Sequence, residues 1–284
     1  MDNIAARTKE LCRIYDIKPA RSKGQNFLIN DGIYRAIIKA ADINAKETII
    51  EVGPGLGFLT AELSKAARRV VAVELDDKLA GILKLAIDSQ NVENVEIINQ
   101  DILRFNPADY LKEKENYRIV ANLPYNITSV FLRTFLSSAR PPLSLVLMLQ
   151  KEVAERIVTK EPDMSLLSLS VHYYGTPSIV RIVPSSDFWP APAVDSAILR
   201  FDYERPRPTA KSLAADKLFF RIARIGFSAK RKMLKNNLLG GLKIDAAGLE
   251  KAFGEAGIEA KARAEDLSME KWHKLVAALG EFVL

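Results

Sequence analysis

The chain has 284 residues, 48% of them hydrophobic and 27% charged, with a formal net charge of +6. These proportions fit a folded globular protein and exclude disordered, fibrous and membrane-spanning compositions. Cys12 is the only cysteine, which excludes an internal disulfide framework, and with His172 and His273 it supplies too few soft ligands for a structural zinc site.

At the N-terminus, Met1 to Arg13 carries Asp2 and Glu10 and has no continuous apolar stretch, unlike a secretory signal. The longest apolar runs, such as Leu145 to Leu149, are strand-sized. A cytoplasmic protein without a membrane segment is expected. Asp31 stands where it would cap a helix through Ala40, with Ile33, Ile37 and Ile38 turned inward. Thr48–Val52, Arg69–Leu75, Val95–Asn99, Arg118–Ala121 and Leu143–Leu149 then read as short, continuously apolar strands. Such runs suit strands buried on both faces of a parallel sheet. Helices are expected between them over Phe58–Ala67, Asp77–Asp88 and Thr128–Ser138, with Asp77 and Thr128 at N-cap positions.

Beyond Leu149 the pattern predicts a helix over Gln150–Thr159 and strands over Leu169–Tyr174, Ser178–Val183 and Ser196–Phe201, with His172 packed on the first of them. Arg205-Pro206-Arg207-Pro208 continues neither helix nor strand, because each proline lacks a donor and restricts the residue before it. A domain boundary is expected there, between residues 1–205 and 206–284. After it, Leu213, Leu218, Phe219, Ile222 and Ile225, and later Leu267, Trp272, Leu275, Val276 and Leu279, recur at helical spacing, so the second domain is read as all-α.

Between the first strand and its helix runs Glu51-Val-Gly53-Pro-Gly55-Leu-Gly57, a glycine turn that brings backbone close to a ligand. Its spacing is not the Gly-x-Gly-x-x-Gly of dinucleotide folds. Glu51 would repel a pyrophosphate but suits a cationic ligand such as S-adenosylmethionine. Glu74 ends the second strand, where a carboxylate accepts ribose hydroxyls, and Asp101 follows the third, where one would accept from an adenine amine.

After the fourth strand comes Asn122-Leu123-Pro124-Tyr125. As a bare pattern this is a turn as readily as a site. Beside a methyl donor, however, the Asn122 oxygen and a neighbouring main-chain carbonyl would accept both hydrogens of an aromatic amine and aim its lone pair at the methyl carbon. Tyr125 would offer a face for the base to stack on. The amine attacks as a neutral group and loses its proton once cationic, so no general base is needed.

Between Lys211 and Lys243 nine bases face one acid, Asp216, a local charge of +8. This is either a solvated helix face or a contact for a polyanion.

The glycine turn resembles the first motif of class I methyltransferases, a Rossmann-like doubly wound α/β fold, and Asn122-Leu123-Pro124-Tyr125 resembles the motif of adenine methyltransferases. Gly24-Gln-Asn26-Phe-Leu28, Leu149 to Arg156, Phe188-Trp-Pro-Ala-Pro-Ala-Val-Asp-Ser196 and Phe227 to Asn237 are similar to segments of the small-subunit ribosomal RNA adenine dimethyltransferases.

That resemblance implies dimethylation of two adjacent adenosines near the 3′ end of small-subunit RNA (16S rRNA), by a monomer acting on immature 30S subunits. It also implies that Asn26, Leu28, Glu51, Gly53, Gly55, Glu74, Asp101 and Asn122 contact or border S-adenosylmethionine. Asn122, Leu123, Pro124 and Tyr125 would hold the target adenine, with Phe188 on its other face. A DNA or large-subunit RNA adenine methylase, an RNA-binding assembly factor without turnover and, remotely, a dehydrogenase are the competing readings.

Overall fold

A computed structural model describes residues 3–19, 25–124 and 127–280. In chain order the elements are α1 (Ile4–Ile14), β1 (Phe27–Leu28), α2 (Asp31–Ala41), β2 (Thr48–Val52), α3 (Phe58–Ala66), β3 (Arg69–Glu74), α4 (Asp77–Ser89), β4 (Val95–Asn99), β5 (Tyr117–Asn122) and α5 (Thr128–Leu136). They continue as β6 (Ser144–Gln150), α6 (Lys151–Val158), α7 (Leu166–His172), β7 (Gly175–Val183), β8 (Phe188–Trp189), β9 (Ser196–Tyr203), α8 (Ala210–Gly226), α9 (Leu234–Gly241), α10 (Ala246–Ala256) and α11 (Met269–Leu279).

The chain forms two compact units. One comprises Met1–Leu136, Arg140–Ala154 and Pro177–Tyr203; the other comprises Ser137–Ala139, Glu155–Thr176 and Glu204–Leu284. The second unit therefore takes in a stretch well ahead of the Arg205–Pro208 break as well as the segment after it.

Seven strands form one sheet in the order β4-β3-β2-β5-β6-β9-β7. β2 pairs in parallel with β3 and β5, β3 with β4, and β5 with β6, while β9 runs antiparallel to β6. Every residue of β2 is buried, as its continuous apolar run requires. The chain order reverses between β2 and β5, and open α/β sheets bind ligands outside the carboxyl ends of the strands at such a point. Ile49, Val70, Val120, Val146 and Ile198 from the sheet pack with Ile33, Tyr34 and Ile37 of α2 and Leu59 and Leu63 of α3. Glu51 lies two residues from Ile49, and the two-residue period puts it on the same covered face.

Three local readings are corrected. Leu169–Tyr174 is no strand: Ser165 caps α7, and Ser165 and Ser168 satisfy each other's backbone N–H groups in a capping box. Buried Leu169, Val171 and Tyr173 imitate a two-residue period, but the cap chemistry sets a helix, and His172 ends it rather than packing on a strand. The caps of α2 and α4 are Asn30 and Asp76, each one residue earlier than expected, because the capping side chain must reach forward to a free N–H. Gln150 belongs to β6, paired with Ser196, so α6 begins at Lys151.

In the second unit, Tyr173, Tyr174, Phe219 and Phe220 form an aromatic cluster. The Arg205 guanidinium lies 4.4 Å from the centre of the Tyr173 ring. Buried Asp216 accepts from the Tyr173 hydroxyl and from Arg205, each at 2.8 Å. Asn237, also buried, donates to the carbonyls of Gly226 and Ala229 at 2.6 and 3.2 Å and so fixes the start of the basic segment between α8 and α9.

Candidate active site

The turn after β2 can form only with residues that tolerate left-handed backbone. Gly53, Gly55 and Gly57 have φ of +67°, +57° and +82°, and a side chain on Gly57 would meet Leu83 at 2.5 Å. A Cβ on Gly53 would stand 3.4 Å from the carbonyl oxygen of Asn122, so the turn after β2 and the end of β5 lie against each other at the reversal of strand order.

A cavity opens at this place. Its polar wall is Asn26, Glu51 and Asn122, and its backbone wall is Gly53, Pro54 and Gly55. Phe27, Leu28, Tyr34, Ile37, Phe58 and Met148 are among the residues that give it an apolar surface. Asn26, Leu28, Glu51, Gly53, Gly55 and Asn122 are thus brought together from three separate stretches of chain.

Glu51 is the anomaly in this cavity. It is 1% exposed, and neither carboxylate oxygen has a hydrogen-bond partner among the described residues; the buried Thr60 hydroxyl has none either. Burial pushes the Glu51 carboxyl up to about 8; nearby Thr60 acts in the opposite direction and the charge of Glu74 adds to the rise. A desolvated acid facing a cavity is the complement of a buried cation.

Tyr34 donates its hydroxyl to the Leu28 carbonyl at 2.7 Å, and burial, together with Glu51 and Asp31, holds its own pKa above the usual range. It therefore serves as a fixed donor that anchors β1 at the cavity.

Glu74 and Asp101 stand apart from that lining. Glu74 is buried, with one oxygen accepting from the Gly55 N–H at 3.1 Å and the other from the Asp76 N–H at 3.0 Å. Burial raises its carboxyl above the ordinary range although both bonds oppose this. Asp101, beyond β4, accepts from the Leu103 N–H at 2.9 Å and caps a short turn. Phe188 is 3% exposed and packs in the core with Leu28 and Tyr34. Leu123 is buried and Pro124 half-buried at the end of β5. Tyr125 lies outside the described residues, as does Gly24.

Sequence reasoning missed Tyr34, Ile37, Phe58 and Met148 as lining residues. Their apolar bodies at helix and strand periodicity carry the signal of core, and only the tertiary fold turns them toward the cavity. No group of acids, histidines and cysteine suited to a metal occurs among the described residues, and no described helix is long and apolar enough to cross a membrane.

A mostly parallel sheet reversing at β2 and β5, a three-glycine turn, and carboxylates within β2 and at the end of β3 define a class I methyltransferase. The chain shares 46% identity over 273 residues, 96% of its length and 92% of the relative's, with a ribosomal RNA small subunit methyltransferase A of Dehalococcoides mccartyi. With the protein of that name from Clostridium botulinum it shares 40%, over 94% of this chain and 96% of the other. Among solved structures, the 23S rRNA methyltransferase ErmE superposes with a TM-score of 0.71 at 26% identity, covering 90% of this chain and all of that one. A dimethyladenosine transferase from Plasmodium falciparum shares the fold with a TM-score of 0.74 at 24% identity, over 90% and 98% of the two chains. The model of the ribosomal RNA adenine dimethylase family matches residues 18–281, and the chain belongs to that family.

Proposed function

We propose that this protein transfers methyl groups from S-adenosylmethionine to N6 of two adjacent adenosines near the 3′ end of small-subunit ribosomal RNA. The work is done in the cytoplasm by a monomer, on small subunits still being assembled. The observation that carries the cofactor assignment is the orphaned Glu51 carboxyl in the cavity beside Gly53, Gly55 and Asn122.

The residues present fit that cofactor. Glu51 supplies a charge partner for a ligand bearing an ammonium and a sulfonium and no phosphate, and the left-handed glycines let backbone approach it without a Cβ in the way. Glu74 ends β3 and Asp101 follows β4, the positions from which carboxylates would meet the ribose and the adenine. S-adenosylmethionine, when bound, supplies the methyl group.

For the target, Asn122 accepts from the adenine amine at the cavity mouth and turns the nitrogen lone pair toward the methyl carbon, with Leu123 and Pro124 shaping the turn. Tyr125 would stack on one face of the base, and Phe188, buried against Leu28, would turn out of the core to meet the other. As the nitrogen–carbon bond forms and the carbon–sulfur bond breaks, the cationic nitrogen sheds a proton to water. The contribution of the protein is positioning and electrostatics. The helical unit's exposed bases, with Lys230, Arg231 and Lys232 in one run, hold RNA by its phosphates.

Identity of 46% and 40% to proteins named for the small subunit, against 26% to ErmE, favours that subunit over the large one. Methyl incorporation from labelled cofactor into unmodified small subunits, large-subunit RNA and duplex DNA tests the assignment. Label is expected in the small-subunit RNA, and label confined to either other substrate would overturn it.

A further inference from the structure

The cavity wall formed by Asn26, Phe27 and Leu28 is held by very little backbone. β1 and β8 have two residues each, paired Phe27 with Trp189 and Leu28 with Phe188. An isolated ladder of that length does not hold its own register in water. Two contacts to one residue, Asp187, extend it. The Ile29 N–H donates to the Asp187 carbonyl at 2.8 Å, and the Asn30 side-chain amide donates to Asp187 Oδ1 at 2.9 Å. Asn30 is committed on its other side as well, since its Oδ1 accepts from the Gly32 N–H at 2.9 Å and caps α2.

Asp187 stands on firm ground. It ends a short turn, Ser185–Asp187, whose first N–H donates to Asp195 Oδ1 at 2.9 Å, while the Asp195 carbonyl accepts from the Lys151 N–H at 3.0 Å. Asp187 therefore joins a fixed loop to Ile29 and Asn30, the first two residues past the cavity wall. The next residue after Asp187 is Phe188, which shares the core with Leu28 and with Tyr34, the residue whose hydroxyl fixes the Leu28 carbonyl.

We infer that Asn30 and Asp187 are a positioning pair that locks β1 to β8, so that the wall contacting the methyl donor and the strand carrying Phe188 move as one. Neither side chain touches a reacting atom. The pair sets the distance between donor and acceptor subsites and makes occupancy of one favour the other. This rests on the assignment of the cavity to S-adenosylmethionine and of Phe188 to the target base.

The test exploits the polarity of the contact. Asn30→Asp keeps the cap on α2 but replaces the donor with a carboxylate facing Asp187. Asn30→Asp combined with Asp187→Asn restores a donor–acceptor pair in the opposite sense. In the single variant, calorimetry with S-adenosylmethionine should show affinity falling about tenfold, and steady-state transfer to small subunits should show a raised KM for RNA. The double variant should return both to within twofold of the wild type. Asp187→Ala removes the acceptor without adding charge and reports the same contact should Asn30→Asp fail to fold.

A purely structural pair would lower the melting temperature while leaving affinity and KM unchanged in the folded protein. That result, or a double variant that recovers stability but not affinity, overturns the inference. Wild-type protein that does not bind S-adenosylmethionine at all would overturn the cofactor assignment and this inference together. Wild-type binding with unaltered Asn30→Asp binding would overturn the inference alone.

Discussion

Glu74 holds Gly55: an oxygen of the carboxylate that ends β3 accepts the backbone N–H of the residue at the centre of the turn after β2, 3.1 Å away. The second oxygen takes the Asp76 N–H at the start of α4. A residue expected only to meet ribose hydroxyls thus also shapes the loop on which the cofactor would rest. Glu74→Ala should therefore weaken S-adenosylmethionine binding by more than one charge-assisted hydrogen bond, roughly 1.5–3 kcal/mol, because the Gly55 N–H is freed as well. Glu74→Gln, which keeps one of the two acceptor oxygens, should lose less than Glu74→Ala, as calorimetry on both variants would show.

Glu51 makes both stability and binding depend on pH. Its folded-state value, about 8, lies above the roughly 4.3 of an unfolded glutamate, so the protonated form favours folding. That stability is fully present below pH about 4.3 and is lost as pH rises through 8. Glu51→Gln should flatten the profile and leave the ligand-free protein more stable than the wild type above pH 8, as read by denaturant unfolding across pH. Glu74 is the titratable neighbour that acts on it, and Glu51 in turn helps to raise Tyr34. A bound cation favours the carboxylate, so S-adenosylmethionine binding at pH 7 should release close to one proton. Calorimetry in buffers of different ionisation enthalpy should detect that proton in the wild type and not in Glu51→Gln.

Asn122 lies at the end of β5, in the cavity wall and against the glycine turn. Asn122→Ala should retain RNA binding while single-turnover methyl transfer falls about 10²–10³-fold, the scale for loss of one preorganised polar group. Near-normal transfer would remove Asn122 from the chemistry.

The exposed run Lys230, Arg231 and Lys232 follows the segment that Asn237 pins through Gly226 and Ala229. Replacing all three with alanine should leave melting unchanged. The slope of log affinity for small-subunit RNA against log salt should become shallower by about 2–3, since each phosphate contact contributes roughly 0.7–0.9. An unchanged slope would place the RNA contact elsewhere.

Much of this arrangement was legible before the structure. Continuous apolar runs announced β2, β3, β4, β5 and β6, and the glycine turn with Glu51 and Asn122 announced the cavity, because these features depend on local backbone and on residue types rare in a core. What failed was either short or long in range. At the end of α7, buried Leu169, Val171 and the following Tyr173 imitate a strand, and the Ser165–Ser168 box that decides otherwise is a pair of ordinary serines in the sequence. α1 was not anticipated, although Asn3 caps it. Asn30 and Asp187 are 157 residues apart, and nothing in either neighbourhood signals the other.

The central claim is tested most directly by mass spectrometry of nucleosides from small-subunit RNA. Subunits from cells lacking this gene are compared before and after incubation with purified protein and S-adenosylmethionine. The account predicts N6,N6-dimethyladenosine at two adjacent positions near the 3′ end, present only after incubation. Small-subunit RNA that stays unmodified while large-subunit RNA or DNA gains methyl groups would contradict it.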